Sequence, residues 1–365
     1  MNRQQMLSRL AFRGWDVTYS TGARSGRGGV TFPLPFREQI ATEDGVRIVE
    51  AGGGPALTGR DGRWDDYVAR RLWRRVNRLV PGASVPDLAM VFHPQFEPYV
   101  RDRGAAKLVF YIYDDYALQP GWARRNDHRL RTLVDAADLI VASSPRFPET
   151  MALPGERTLV LPNGVDESFF HGSGHIPDIL AGIPEPRIGY TGWVNRKLDL
   201  ALIDELSRRH ADFNWVIVGP IQEFDMREPR FREAVAVSGR RPNVHFLGRR
   251  PHAELPALMA HMTVNLMCYD IGSAPWMKHA YPLKLNEYLA SGAPVVSSPI
   301  DVVRAGFTDL VATATTPDEW SEAICRAVEG AGPGDRATRI ARARESLWEH
   351  RADELDGQLT ALLDH

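Results

Sequence analysis

Pro282-Leu283-Lys284-Leu285-Asn286-Glu287-Tyr288-Leu289-Ala290-Ser291-Gly292-Ala293-Pro294-Val295-Val296 is the stretch whose reading decides how this chain folds. Proline in the first turn of a helix costs no hydrogen bond, because the first amides have no intrahelical partner. The helix then runs to about Ala290, Gly292 suits a left-handed cap, and Pro294 stops it. Apolar residues resume at once, and 295–298 reads as a strand. A helix passing within a few residues into a wholly apolar strand is the repeating unit of a parallel sheet covered on both faces.

The same alternation extends in both directions. Short apolar runs at 16–20, 88–93, 108–113, 139–143, 158–162, 187–191, 215–219, 244–247, 263–268 and 310–312 read as further strands. Between most of them, as at 198–210 and 319–328, apolar residues recur at three- and four-residue spacing. This is the pattern of an α/β protein with doubly wound parallel sheets. At 365 residues the chain exceeds one ordinary core and suits two domains of about 150–200 residues. The most linker-like stretch, Phe170-His171-Gly172-Ser173-Gly174-His175-Ile176-Pro177, places the boundary at 170/171. The expected plan is a first Rossmann-like domain over 1–170 and a second over 171–335. Helices over 336–365 at least partly cross back to the first domain. Two such domains facing a cleft would bind ligands at the carboxyl ends of their strands.

A hydrophobic content of 44% and a charged content of 25% fit a soluble globular protein. A net charge of −2 gives no global signal for nucleic acid. Basic charge is nearly all arginine, with lysine only at Lys107, Lys197, Lys278 and Lys284, so a lysine in this chain draws notice. Cys268 and Cys325 have no metal-ligand or CxxC spacing and read as small core residues in a reducing cytoplasm. The first residues are amphipathic, unlike a secretory signal, and no apolar run is long enough to span a bilayer. The stretch from Trp64 to Val80 is helical, with Arg70, Arg71, Arg74, Arg75 and Arg78 beside Trp64, Tyr67, Leu72, Trp73 and Val76. It reads either as a solvated face over an apolar stripe or as a peripheral contact with anionic lipid headgroups at the inner face of the membrane. The preceding 21–62 is rich in glycine and proline and reads as an irregular excursion with a hairpin near Ile48.

The helix of the opening stretch also carries chemistry. Its first amides, from Leu283 and Lys284, lie at a helix N-terminus, which favours phosphate, and Lys284 adds a full charge. One turn on, Glu287 could accept two hydrogen bonds from a ribose diol. Helix capping alone accounts for Pro282, Gly292 and the leucines, but not for a glutamate among Leu285, Tyr288 and Leu289.

At these residues the chain resembles the family 4 retaining glycosyltransferases of the GT-B fold, and the likeness runs nearly its whole length. Ala137–Ser144 resembles the last strand before the linker, Leu161-Pro162-Asn163-Gly164-Val165-Asp166 the connection, and Ile188-Gly189-Tyr190-Thr191-Gly192 the first strand of the donor domain. Leu347-Trp348-Glu349-His350-Arg351-Ala352 resembles the closing helix. The resemblance implies a sugar nucleotide of UDP or GDP type as co-substrate, no other cofactor, no metal, and a saccharide or lipid-linked acceptor. It implies Glu287 on the ribose and Leu283 and Lys284 on the distal phosphate. The family's first glutamate of Glu-x7-Glu is His279 here, and its arginine after the glycine is Trp193. Arg196 and Lys197, in the loop Gly192-Trp193-Val194-Asn195-Arg196-Lys197, are then the available cations for the diphosphate. Gly219 and Pro220 end a strand beside the nucleotide, and Phe246 lines the base side. In the first domain Asp114, Asp115 and His93, at strand ends, are assigned to the reacting sugar or the acceptor.

Relatives begin with a strand, whereas Met1–Ala11 already reads as the first helix, so the first strand of the N-terminal domain is expected to be missing. Two other readings stay open: a GT-B sugar-nucleotide epimerase, and a degenerate binding or scaffold subunit.

Overall fold

A computed structural model describes residues 2–20, 39–50, 62–80, 86–98, 105–119, 122, 125–172 and 174–364. The chain divides into two compact units, Met1–Leu161 with Glu349–His365, and Pro162–Trp348.

In the first unit, helix α1 (Asn2–Phe12) buries Met6, Leu7 and Leu10. Strand β1 (Thr18–Ser20) pairs in parallel with β3 (Val46–Glu50), which forms an antiparallel hairpin with β2 (Gln39–Glu43). The hairpin contains Ile48, as expected. It turns on Asp44-Gly45, both at positive φ, the geometry that a two-residue turn between twisted strands requires. The rest of the expected excursion, 21–38 and 51–61, lies outside the described residues. Helix α2 (Gly62–Leu79) lays Leu72, Val76 and Leu79 with Val80 against Val49 of β3. A separate parallel sheet has the order β4 (Leu88–Val91), β5 (Lys107–Ile112), β6 (Leu139–Ala142), β7 (Thr158–Val160), with α3 (Arg125–Ala136) between β5 and β6. No described strand pairs with both β1 and β4, so the described strands of this unit lie in two sheets. The C-terminal helix Trp348–Leu363 returns here through Arg9–Glu349 and Arg13–Asp353 ion pairs and the Trp15 indole on Asp356.

The second unit holds one six-stranded sheet, parallel throughout. Its strands are β8 (Arg187–Thr191), β9 (Asn214–Val218), β10 (Val244–Gly248), β11 (Val264–Met267), β12 (Val295–Ser297) and β13 (Val311–Thr313). The order is β10-β9-β8-β11-β12-β13, so the winding reverses between β8 and β11. In open α/β sheets that switch point is where ligands bind. Its longer helices are α4 (Leu200–Arg209), α5 (Pro229–Ser238), α6 (Leu255–Ala260), α7 (Leu283–Ser291), α8 (Asp301–Gly306), α9 (Pro317–Val328) and α10 (Arg336–Arg344), beside a single turn at Asp178–Ala181.

All eleven strands read from the sequence are present, with ends shifted by one or two residues at most. The boundary falls after Leu161, where the sequence reading has 170/171, and the physical reason is packing. Val165 and Phe169 are buried in the same core cluster as Leu285 and Leu289 of α7. The Asn163 amide donates to the Tyr281 carbonyl at 2.6 Å, and the Asn286 amide donates back to the Asn163 carbonyl at 2.7 Å. Likewise α10 stays with the second unit, and only residues from Glu349 on belong to the first.

Candidate functional site

The loops that leave β8 and β11 at the switch point are fastened to each other. The Asp199 amide donates to the Cys268 carbonyl at 3.2 Å and the Asp270 amide to the Lys197 carbonyl at 2.9 Å. The next loop over, after β9, joins the same assembly: the Val194 amide donates to the Pro220 carbonyl at 3.0 Å and the Gln222 amide to the Val194 carbonyl at 2.9 Å. Strands β8 and β9 are each followed at once by a glycine, Gly192 at φ 144° and Gly219 at φ 142°. A side chain on Gly219 would stand 2.0 Å from the Gly192 carbonyl oxygen, so these backbones meet as only glycine allows.

Helix α7 points its N-terminus at this loop assembly. Pro282 is its N-cap and offers no side-chain acceptor, so the first amides, those of Leu283 and Lys284, have no helical partner. Gly292, at φ 76°, ends the helix. The polar residues along α7 divide into two groups. Tyr288 accepts from the Thr191 amide at 2.8 Å and ties α7 to the end of β8, while Asn286 and Ser291 bond to Asn163 and to the Tyr288 carbonyl. Lys284 and Glu287 do otherwise. Lys284 is 9% exposed, yet its Nζ has no hydrogen-bond partner. It lies 3.8 Å above the Tyr190 ring and 5.7 Å from that of Tyr269. A Cβ on Gly192 would come within 2.6 Å of that Nζ, so the missing side chain there makes the ammonium's room. Burial, reinforced by Lys197, holds the Lys284 ammonium well below the ordinary lysine range, with Glu287 and Cys268 opposing. Half-buried Glu287 has no hydrogen-bond partner among the described residues; burial pushes its carboxyl up to about 7, against the pull of Lys284.

A helix N-terminus, a lysine Nζ without a hydrogen-bond acceptor, a second lysine and a carboxylate one turn away are chemically suited to a polyanion attached to a diol. The other sequence-predicted residues sort around it. Arg196 is engaged by buried Asp225, whose carboxylate receives its Nε at 3.0 Å and its amide at 3.2 Å. Lys284, not Arg196, is thus the cation standing at Gly192. Asn195 shapes the loop by accepting from the Lys197 amide at 3.3 Å. Phe246, partly buried, packs against the core cluster that includes Phe231 and Val244. His279 lies before α7 with its Nδ1 2.8 Å from the Asp301 carboxylate.

In the first unit, Asp114 and Asp115 follow β5 as expected. Asp114 accepts from the Asp115 amide and from the Gln119 side chain, and Asp115 is buried. His93 caps a short 3-10 turn, accepting from the Gln95 amide at 3.1 Å, inside an aromatic group with Tyr116 at 5.0 Å. Tyr190, Tyr269 and Asp225 were not legible as site residues. Alternation along β8 signals that Tyr190 shares the side of Gly192, but nothing in the local sequence ties Asp225 to Arg196.

Residues 185–330 match the family profile described as "Glycosyl transferases group 1". TuaH of Bacillus subtilis (strain 168), described as a "Putative teichuronic acid biosynthesis glycosyltransferase", is 29% identical over 172 residues, which are 46% of this chain and 41% of that relative. The chain thus spans well under half the length of this curated relative. Sucrose-phosphate synthase from Thermosynechococcus elongatus superposes with a TM-score of 0.77 at 16% identity, covering 99% of this chain and 92% of that one. HepE of Anabaena, in complex with UDP and glucose, superposes with a TM-score of 0.67 at 14% identity, covering 87% of each chain. The fold is that of the GT-B glycosyltransferases.

Proposed function

We propose that this chain is a glycosyltransferase that moves a sugar from a nucleotide-diphosphate donor to a saccharide or lipid-linked acceptor, with retention at the anomeric carbon. The observation that carries the reading is the Lys284 ammonium, buried without a partner at the N-terminus of α7 and against Gly192. In this reading the diphosphate takes the amides of Leu283 and Lys284, with Lys284 and Lys197 neutralising the charge that grows as the glycosidic bond breaks. Glu287 receives the ribose hydroxyls. The acceptor hydroxyl passes its proton to the departing phosphate on the same face of the sugar. Asp114, Asp115 and His93 are the first unit's candidates for contact with the sugar or the acceptor. HepE, described with UDP and glucose, supports UDP as the nucleotide, and the description of TuaH supports a polysaccharide-forming acceptor.

The chain works, in this reading, at the cytoplasmic face of a membrane. Among the described residues no helix is long and apolar enough to cross one. The surface offered is α2, whose packed side leaves Arg70, Arg71 and Arg74 exposed beside Trp64 and Tyr67, 40% and 51% exposed.

Calorimetry with UDP, GDP and their glucose conjugates tests the donor site. We expect one of these nucleotides to bind, Glu287→Ala to weaken it at least tenfold, and affinity to fall as pH drops through about 7, where the carboxylate protonates. Equal binding by wild type and Glu287→Ala would refute the ribose assignment. Turnover of the donor with no acceptor present would favour an epimerase.

A further inference from the structure

We propose that the diphosphate of the donor and one proton enter this site together, the proton taken up by Lys284. The inference rests on the donor-site reading and goes beyond it, since a phosphate-binding lysine ordinarily arrives charged and exchanges no proton.

The geometry sets Lys284 apart from an ordinary phosphate-binding lysine. Its stem is enclosed by the end of β8, the end of β11 and its own helix, leaving 9% of the residue exposed. Its Nζ has no hydrogen-bond acceptor. The Tyr190 face, 3.8 Å away, attracts an ammonium but does not replace water or a carboxylate. The charged and titratable groups facing it can be named by element. From the loop after β8 comes Lys197, a like charge; from β8 itself comes Tyr190, buried and held neutral. From the end of β11 come Cys268 and Tyr269, both kept protonated by burial. From α7 come Tyr288, also neutral, and Glu287, whose carboxylate is the one nearby anion of this set. Asp199 acts on Cys268, its own carboxyl is pushed up by burial and by Asp270, and it is committed to capping α4 through the Leu202 amide at 2.9 Å. Desolvation and Lys197 together therefore oppose the charged form in the empty site. A diphosphate supplies the missing counter-charge and acceptor, and by linkage whatever draws the proton to Lys284 is itself bound more tightly when the proton is present. The proton comes from solvent, and no covalent bond changes.

The test is calorimetric titration of UDP at about pH 8.5, between the Glu287 value and the ordinary lysine range, in buffers of different ionisation enthalpy. We expect net uptake approaching one proton per UDP, with affinity falling up to tenfold per pH unit as pH rises further. Lys284→Arg keeps a fixed charge and should bind UDP with no uptake; Lys284→Met should bind it about a hundredfold more weakly or not at all. The chain has only four lysines, so 13Cε-lysine NMR supplies a readout independent of either variant. The Lys284 resonance should titrate well below the ordinary lysine range in the free chain and move to the charged position when UDP is added. UDP binding without proton uptake, or a Lys284 resonance already charged in the free chain at that pH, overturns the inference and leaves the donor site standing. Failure of the wild type to bind UDP and GDP overturns the donor site itself.

Discussion

Lys284 works against the fold that holds it. A buried lysine that must give up its proton or hold it without an acceptor destabilises the unliganded chain, and in the proposed reading a diphosphate relieves that defect. Lys284→Met, similar in length and apolar, should raise Tm in the absence of ligand while abolishing UDP binding. The gain is on the order of 1 kcal/mol or more, about 2–4 °C. The sign with pH follows from a folded-state value depressed below the unfolded one. Between those two values the unfolded chain holds a proton that the native chain has released, so wild-type stability climbs with pH. The advantage of Lys284→Met is therefore largest at neutral pH and shrinks as pH approaches the unfolded lysine value of about 10.4. Thermal melts of the two proteins across that range check it; a wild type that melts above Lys284→Met at neutral pH would contradict the account. Lys284 and Glu287 stand out in the sequence because a rare lysine and a lone glutamate break an otherwise apolar helix. The pairing of Arg196 with Asp225 could not be read from the sequence, because the anion lies in another loop, after β9.

At the scale of the element, α7 is held at its back so that its front can stay open. Its C-terminal carbonyls are met by α10: Arg336 donates to the Ser291 carbonyl at 3.1 Å and buried Arg339 to that of Gly292 at 3.1 Å. Arg339 also reaches the carbonyls of Pro333 and Gly334, so one guanidinium satisfies three backbone acceptors. Cations belong at this end of a helix dipole. Arg339→Met should cost about 2–4 kcal/mol in denaturant unfolding, since it leaves buried carbonyls without donors. UDP affinity measured on the folded fraction should change little. The caps of α7 and the strand runs could be read from the chain because each is decided within a few residues. The partnership of α7 with α10 could not, because it joins residues more than forty positions apart. The linker-like 170–177 misled for a related reason: its glycines invite a boundary, while Val165 and Phe169 just before it are already committed to the second unit's core.

On the scale of the molecule, the residues proposed for the donor and those proposed for a lipid surface fall on different units, and this makes the two proposals separable. Gly192, Lys197, Lys284 and Glu287 all lie within Pro162–Trp348, whereas α2 lies within Met1–Leu161. Helix α2 carries six arginines against Asp65 and Asp66, and the buried Arg129 guanidinium, 3.4 Å from Asp66, offsets one of those acids. Arg63, Tyr67, Arg70, Arg71 and Arg74 with Asp66 line a concavity of about 430 Å³, of a size to admit a phosphate headgroup. Each arginine near an anionic bilayer contributes about 1 kcal/mol, so replacing Arg70, Arg71 and Arg74 together by glutamine should weaken binding to phosphatidylglycerol vesicles about a hundredfold. Binding should also fade as salt shortens the Debye length, and should be weak on phosphatidylcholine. Because none of the three residues belongs to the donor unit, the triple variant should keep its affinity for UDP, and Lys284→Met should keep its affinity for vesicles. Vesicle sedimentation and UDP calorimetry on both variants give a two-by-two outcome. Loss of UDP binding in the arginine variant would show that the two surfaces are coupled. Undiminished vesicle binding by that variant would return α2 to a solvated face resting on Val49.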